Sequence, residues 1–170
     1  MTKPIKPVGK AAIPLFSVDP RSGWFELQQV DLTQIPQLAV YWVRLVDIGG
    51  SPISISRMLG NDDCGLLYIG RTQSTTSFRI ADLLEDLKSP NARPKHGIGK
   101  KFWDTRFLDR LRNGERCQVG WDALTSYLDK SGKEVADIIR ERDLLQGYFK
   151  LYAELPPFNR VLPGFLKDRK

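Results

Sequence analysis

Two tyrosines stand in runs with the composition of buried strands: Tyr41 within residues 39–46 (AVYWVRLV) and Tyr68 within residues 65–70 (GLLYIG). If the two strands pair, the phenols can approach each other. A basic neighbour such as Arg71 would then lower a phenol toward the point where it takes a proton from water. The plain alternative is that both are ordinary strand residues, which tyrosine favours anyway. Arg79 falls in the first turns of a helix that follows the glycine-ended strand. A guanidinium there can grip a phosphate in a bidentate way and offset the charge of an in-line transition state, or it can pair with Asp82 at the surface. Glu141 has Ile138, Leu144, Leu145 and Tyr148 as helical neighbours. A carboxylate in such company needs a partner. Arg142 or Arg79 can serve, and so can a Mg²⁺ ion completed by waters and a substrate phosphate. Asn159, after Pro156-Pro157, can hold the C-terminal segment against the strands, help place a phosphate, or do turn chemistry.

The scarce residues narrow the chemistry further. The chain has one histidine, His96, and two cysteines, Cys64 and Cys117, far apart. That set cannot build a disulfide framework, a zinc finger or a zinc hydrolase site, and it suits a reducing compartment. A Ser-His-Asp triad would have to use His96, and no G-x-S-x-G elbow accompanies it. Catalysis is left to Tyr, Arg, Lys, Asp, Glu or Asn. His96 lies in His96-Gly97-Ile98-Gly99-Lys100-Lys101, which reads as a flexible loop residue, solvated or in contact with phosphate.

The net charge of +6 has an address. Residues 88–116 hold nine basic and three acidic side chains, which accounts for the whole excess. Aromatics interleave with the bases there, so Lys100, Lys101, Trp103, Arg106 and Arg110, with Arg71 and His96, form a candidate polyanion surface. A solvated helical face is the bland counterpart.

The elements that must position these groups follow from periodicity. Residues 1–20 read as a flexible basic arm, 21–162 as one domain with a basic insertion at about 86–130, and 163–170 as a basic tail. Beyond the two tyrosine strands, residues 24–27 and 53–55 can form short strands and 115–121 a third main one. Helices are expected over 78–88, over 100–111 and over 134–152, the last with Val135, Ile138, Ile139, Leu145 and Phe149 as its apolar stripe. Asp82, Glu85 and Asp86 read as a solvated helix face and Asp62-Asp63 as a turn. The expected class is α+β: an antiparallel or mixed sheet of about three strands flanked by helices. No apolar run approaches the ~18 residues that span a bilayer, and no signal core is present, so the chain reads as soluble and cytosolic.

Five elements in order, Ala39-Val40-Tyr41, Tyr68-Ile69-Gly70, Arg79 in the next helix, Glu141-Arg142-Asp143-Leu144-Leu145, and Asn159 after prolines, resemble the GIY-YIG nuclease superfamily over residues 38–162. Ala39 replaces the usual glycine, and the long Tyr41–Tyr68 and Glu141–Asn159 spacings are similar to those of elaborated restriction-type or phage-type members. The resemblance implies a DNA endonuclease using Mg²⁺ (or Mn²⁺), with Tyr41, Tyr68, Arg79, Glu141 and Asn159 as catalytic residues and Glu141 as the metal ligand. Water activated by either tyrosine would attack phosphorus in line. DNA is the expected substrate, with RNA as the second candidate polymer and a homodimer as a possible assembly. The reading of a different class is a nucleic-acid-binding module on the same scaffold, with cleavage weak or lost.

Overall fold

Strand β2 (Ala39–Val46) organises the sheet, because its run, apolar except for Arg44, finds apolar neighbours on both faces. The computed structural model describes residues 18–72, 77–88, 96–104, 107–126, 128, 131–132 and 135–161. Arg106, residues 163–170 and all but the last three residues of the basic arm lie outside them.

On one side β2 pairs antiparallel with β5 (Leu66–Thr72), and on the other with β6 (Arg116–Ala123). Strand β1 (Phe25–Glu26) pairs antiparallel with β6, giving the order β1-β6-β2-β5. Strands β3 (Ile55–Arg57) and β4 (Gly60–Asp62) form a separate hairpin. The helices are α1 (Ser77–Lys88), α2 (Gly99–Asp104), α3 (Phe107–Arg112) and α4 (Ala136–Tyr152). The class is α+β as expected, with four strands rather than three in the main sheet and antiparallel pairing throughout.

Tyr41, Val43 and Leu45 of β2, with Val119 and Trp121 of β6, pack in one core with Ile80 and Leu83 of α1, Ile98 and Phe107. Val40 and Trp42, with Leu66 and Ile69 of β5, pack in a second core with Leu144, Leu145 and Tyr148 of α4. Helices thus cover both faces, which is why β2, Arg44 apart, reads as an apolar run instead of an alternating one. Each such side chain, fully buried, contributes about 1.5–3 kcal/mol.

Three expectations change. The stretch at 86–130 is not a simple insertion, since it contains β6, an inner strand of the sheet. The helix expected over 100–111 is two six-residue helices, anchored separately by Ile98 ahead of α2 and Phe107 at the start of α3. Most informative is α4, whose buried residues are Asp137, Glu141, Leu144, Leu145, Gly147 and Tyr148, while Phe149 of the expected stripe is 44% exposed. The helix turns two carboxylates inward because β5 presents an arginine to receive them. Among the described residues, no helix is long and apolar enough to cross a membrane.

Candidate active site

The pairing of β2 with β5 places Tyr41 opposite Gly70, two residues after Tyr68. The tyrosine rings lie 5.9 Å apart between centroids, tilted by 51°. A Cβ on Gly70 would sit 2.5 Å from Tyr68 Cε1 and 2.6 Å from Tyr41 Cζ, so the glycine is what lets the two phenols meet. Gly70→Ala is therefore expected to destabilise the protein by about 1–3 kcal/mol through overpacking. Urea unfolding would read that loss, and the tyrosine fluorescence of the folded variant should change as the rings separate.

Tyr41 is 1% exposed and Tyr68 is partly exposed. Proximity to Tyr68 raises Tyr41 further. Contrary to the expectation from Arg71, both phenols stand above their ordinary value. Burial is the largest cause for each, and the downward pull of Arg79 on both, and of Arg71 on Tyr68, does not overcome it.

His96 is not a solvated loop residue. It is 3% exposed, and its Nε2 lies 2.9 Å from the Tyr41 hydroxyl. The backbone N–H of Ile98 donates to His96 Nδ1 at 3.1 Å, so the ring proton belongs on Nε2, which donates to Tyr41. The loop is itself pinned by Asp86, whose Oδ2 accepts the His96 backbone N–H at 2.7 Å and whose carboxylate packs where a Cβ on Gly99 would have to sit. Asp86, expected on a solvated face, is thus buried and structural. His96 thus donates to the Tyr41 hydroxyl, and the Tyr41 ring lies against that of Tyr68. Burial, with the charge of Arg79 second, lowers His96 to about 4, so the imidazole is neutral at neutral pH.

A buried histidine of this kind makes the fold acid-sensitive. Its native pKa lies below the 6.5 of the free side chain, so the unfolded chain binds the extra proton and stability falls as pH drops from 6.5 toward 4. His96→Gln keeps a donor for Tyr41 but does not titrate. Relative to wild type it should gain roughly 2 kcal/mol on going from pH 7.5 to 4.5, read by urea unfolding at both pH values.

The other face of β5 carries Arg71. Its Nη1 bonds Asp137 Oδ2, and its Nε lies 3.1 Å from Glu141 Oε2. The partner of Glu141 is therefore Arg71; Arg142 instead faces Asp143 at 3.6 Å. Burial raises Glu141 to about 7, with Arg71 pulling down and Asp137 pushing up. Asp137 escaped the sequence reading. Its signal is the carboxylate one helical turn before Glu141, on the same face. The Arg71 guanidinium, expected on the nucleic-acid surface, is committed to two carboxylates. Arg79 is exposed, and its charge acts on Tyr41, Tyr68, His96 and Glu141 together.

Asn159 is a clamp. Its Oδ1 accepts the Ile69 N–H at 3.0 Å, and its Nδ2 donates to the Ile69 carbonyl at 2.8 Å. The neighbouring Phe158 N–H donates to the Leu67 carbonyl at 3.0 Å. This segment covers the free edge of β5 and fixes the Tyr-Ile-Gly strand, with both amide atoms of Asn159 committed to Ile69. Lys101 Nζ donates to the Pro157 carbonyl at 3.0 Å, tying α2 to the same turn, and burial with the charge of Arg160 lowers it. Lys100 is exposed beside it, and Trp103 lies in α2. Arg110, expected on the nucleic-acid surface, is held by Glu115 through two contacts, the longer at 3.0 Å.

Among the described residues, no cluster of three or more His, Cys, Asp or Glu side chains is arranged to hold a metal. Glu141 nonetheless fits the role of a single protein ligand to Mg²⁺, an ion that keeps several waters and takes one or two carboxylates. Its side chain is 12% accessible at the edge of the ion cluster, with the fully buried Asp137 behind it. Comparison of the chain with protein-family models, curated proteins and solved structures finds no match.

Proposed function

We propose that this chain is a divalent-cation-dependent DNA endonuclease of the GIY-YIG type, with Tyr68 as the base. The observation that carries the reading is the packed group of His96, Tyr41 and Tyr68, in which His96 holds the buried Tyr41 and the partly exposed Tyr68 phenol lies within the charge fields of Arg79 and Glu141. Tyr41 is shut away from water and held by His96, so its role is to position the Tyr68 ring that packs against it. Tyr68 takes the proton of the attacking water. Arg79, exposed beside it, binds the phosphate and offsets the negative charge that grows on it in the transition state. Glu141 would hold Mg²⁺ or Mn²⁺, which supplies charge neutralisation at the phosphate and the leaving oxygen. Lys100 and Lys101 on α2 contact flanking phosphates, which position the strand without reading its sequence. Cutting both strands of a duplex takes a dimer or two sequential nicks.

The experiment is incubation of plasmid, single-stranded DNA and RNA with Mg²⁺, comparing wild type with Glu141→Ala and Arg79→Ala. The expected result is cleavage of DNA by wild type and loss of cleavage in both variants. Survival of activity in both would remove the mechanism. Salt-sensitive binding without cation-dependent cutting would select a binding module on the same scaffold.

A further inference from the structure

We infer that Arg71 is the resident cation of the Glu141 site, and that Asp137 is the positioning residue that keeps the Arg71 guanidinium when a divalent ion takes Glu141. The inference rests on the nuclease reading for the identity of that ion. Its basis is how the guanidinium is shared. Different nitrogens serve the two carboxylates, Nη1 toward Asp137 and Nε toward Glu141 at 3.1 Å. The planar fork can therefore release one carboxylate while keeping the other, which a lysine ammonium, as a single point charge, does poorly.

The two carboxylates are not equivalent. Asp137 is fully buried on the inner turn of α4, whereas Glu141 is 12% accessible at the cluster's edge. A hydrated ion arriving from solvent meets Glu141 first. Two cations cannot share that carboxylate closely without strong mutual repulsion. Arg71 then withdraws onto Asp137, whose buried charge gains from keeping it. In the cation-free protein the same guanidinium keeps Glu141 from facing the interior alone. Asp137 and Arg71 thereby set how tightly the ion binds: Arg71 competes for Glu141, and Asp137 weakens that competition.

The test is Mn²⁺ binding to the full chain without DNA, read by the electron-paramagnetic-resonance signal of free Mn²⁺. Arg71→Gln removes the competitor and should tighten binding by about fivefold or more, and Asp137→Asn leaves Arg71 wholly on Glu141 and should weaken it by a similar factor. Glu141→Gln should abolish specific binding. Unchanged or weaker binding in Arg71→Gln, or tighter binding in Asp137→Asn, overturns the inference. Should Arg71→Gln fail to fold by circular dichroism, the Arg71→Gln/Asp137→Asn double variant removes both charges and carries the same comparison against Asp137→Asn. It must bind Mn²⁺ more tightly than that single variant. Binding that survives Glu141→Gln would instead strike the metal assignment of the nuclease reading. Loss in Glu141→Gln with no change in Arg71→Gln strikes only the exchange.

Discussion

Glu141→Gln is expected to lose cleavage by at least about 10³-fold and at the same time to make the protein more stable above pH 7. The loss follows from removing the carboxylate that would hold the cation, an effect worth several kcal/mol of transition-state stabilisation. The gain follows from linkage. The folded protein raises Glu141 from 4.5 to about 7, chiefly by burial, and Arg71 offsets that only in part. The native state therefore favours the protonated carboxyl. Its contribution is fully present below pH 4.5 and is lost as pH rises through 7. Glutamine has the shape of the protonated form and keeps it at every pH. At pH 8 the variant should be more stable by on the order of 2–3 kcal/mol, a rise of several degrees in Tm. At pH 4.5 the two proteins should melt together. A residue that only braced the fold would give the opposite sign, and thermal melts at the two pH values decide between them.

Tyr68→Phe should lower single-turnover cleavage by about 10²–10⁴-fold, the usual span for a general base, with little change in DNA affinity. Tyr41→Phe keeps the ring packing against Tyr68 and removes only the bond to His96, so a smaller loss, about tenfold, is expected from one neutral hydrogen bond. The ordering is the informative part, because a mechanism with Tyr41 as the base predicts the reverse. Both phenols stand above their ordinary value of 10, so the phenolate is scarce at neutral pH. The rate in the wild type should therefore keep climbing by about tenfold per pH unit from pH 7.5 to 9. Tyr68→Phe should flatten that slope.

Much of this arrangement was legible in the sequence, and the parts that were not share a cause. The strands holding Tyr41 and Tyr68 stand out because β-branched and aromatic runs bounded by glycine have few other uses. Their pairing follows from adjacency, and it places Tyr41 opposite Gly70. What escaped were polar groups buried by distant partners. Asp137 was one; for Glu141, whose need of a partner was legible, what escaped was the partner itself. Both face inward because Arg71, 66 residues before Asp137, meets them there. Of the apolar stripe expected on the same helix, Leu145 is buried in the core, whereas Val135, Ile138 and Ile139 are half-buried and Phe149 is exposed. His96 looked loop-like among glycines, and its anchor Asp86 looked solvated. Each becomes a buried residue only because the other is present. The expectation that Arg71 would lower a phenol named a real influence but not the winner, since burial outweighs both arginines. Hydrophobic periodicity carries no information about such reciprocal burial.

The central claim is that phosphodiester hydrolysis runs through Glu141 and Tyr68 and needs a divalent cation. The most direct measurement is single-turnover cleavage of end-labelled duplex and single-stranded DNA, with protein in excess, in Mg²⁺, in Mn²⁺ and in EDTA. Wild type, Glu141→Gln and Tyr68→Phe should be run side by side at pH 8, where all are folded. Discrete cleavage products from wild type with either cation, none in EDTA, and losses of at least about 10²-fold in both variants are the predicted outcome. Cleavage that persists in both variants, or wild-type protein that cuts neither substrate with either ion, would contradict it.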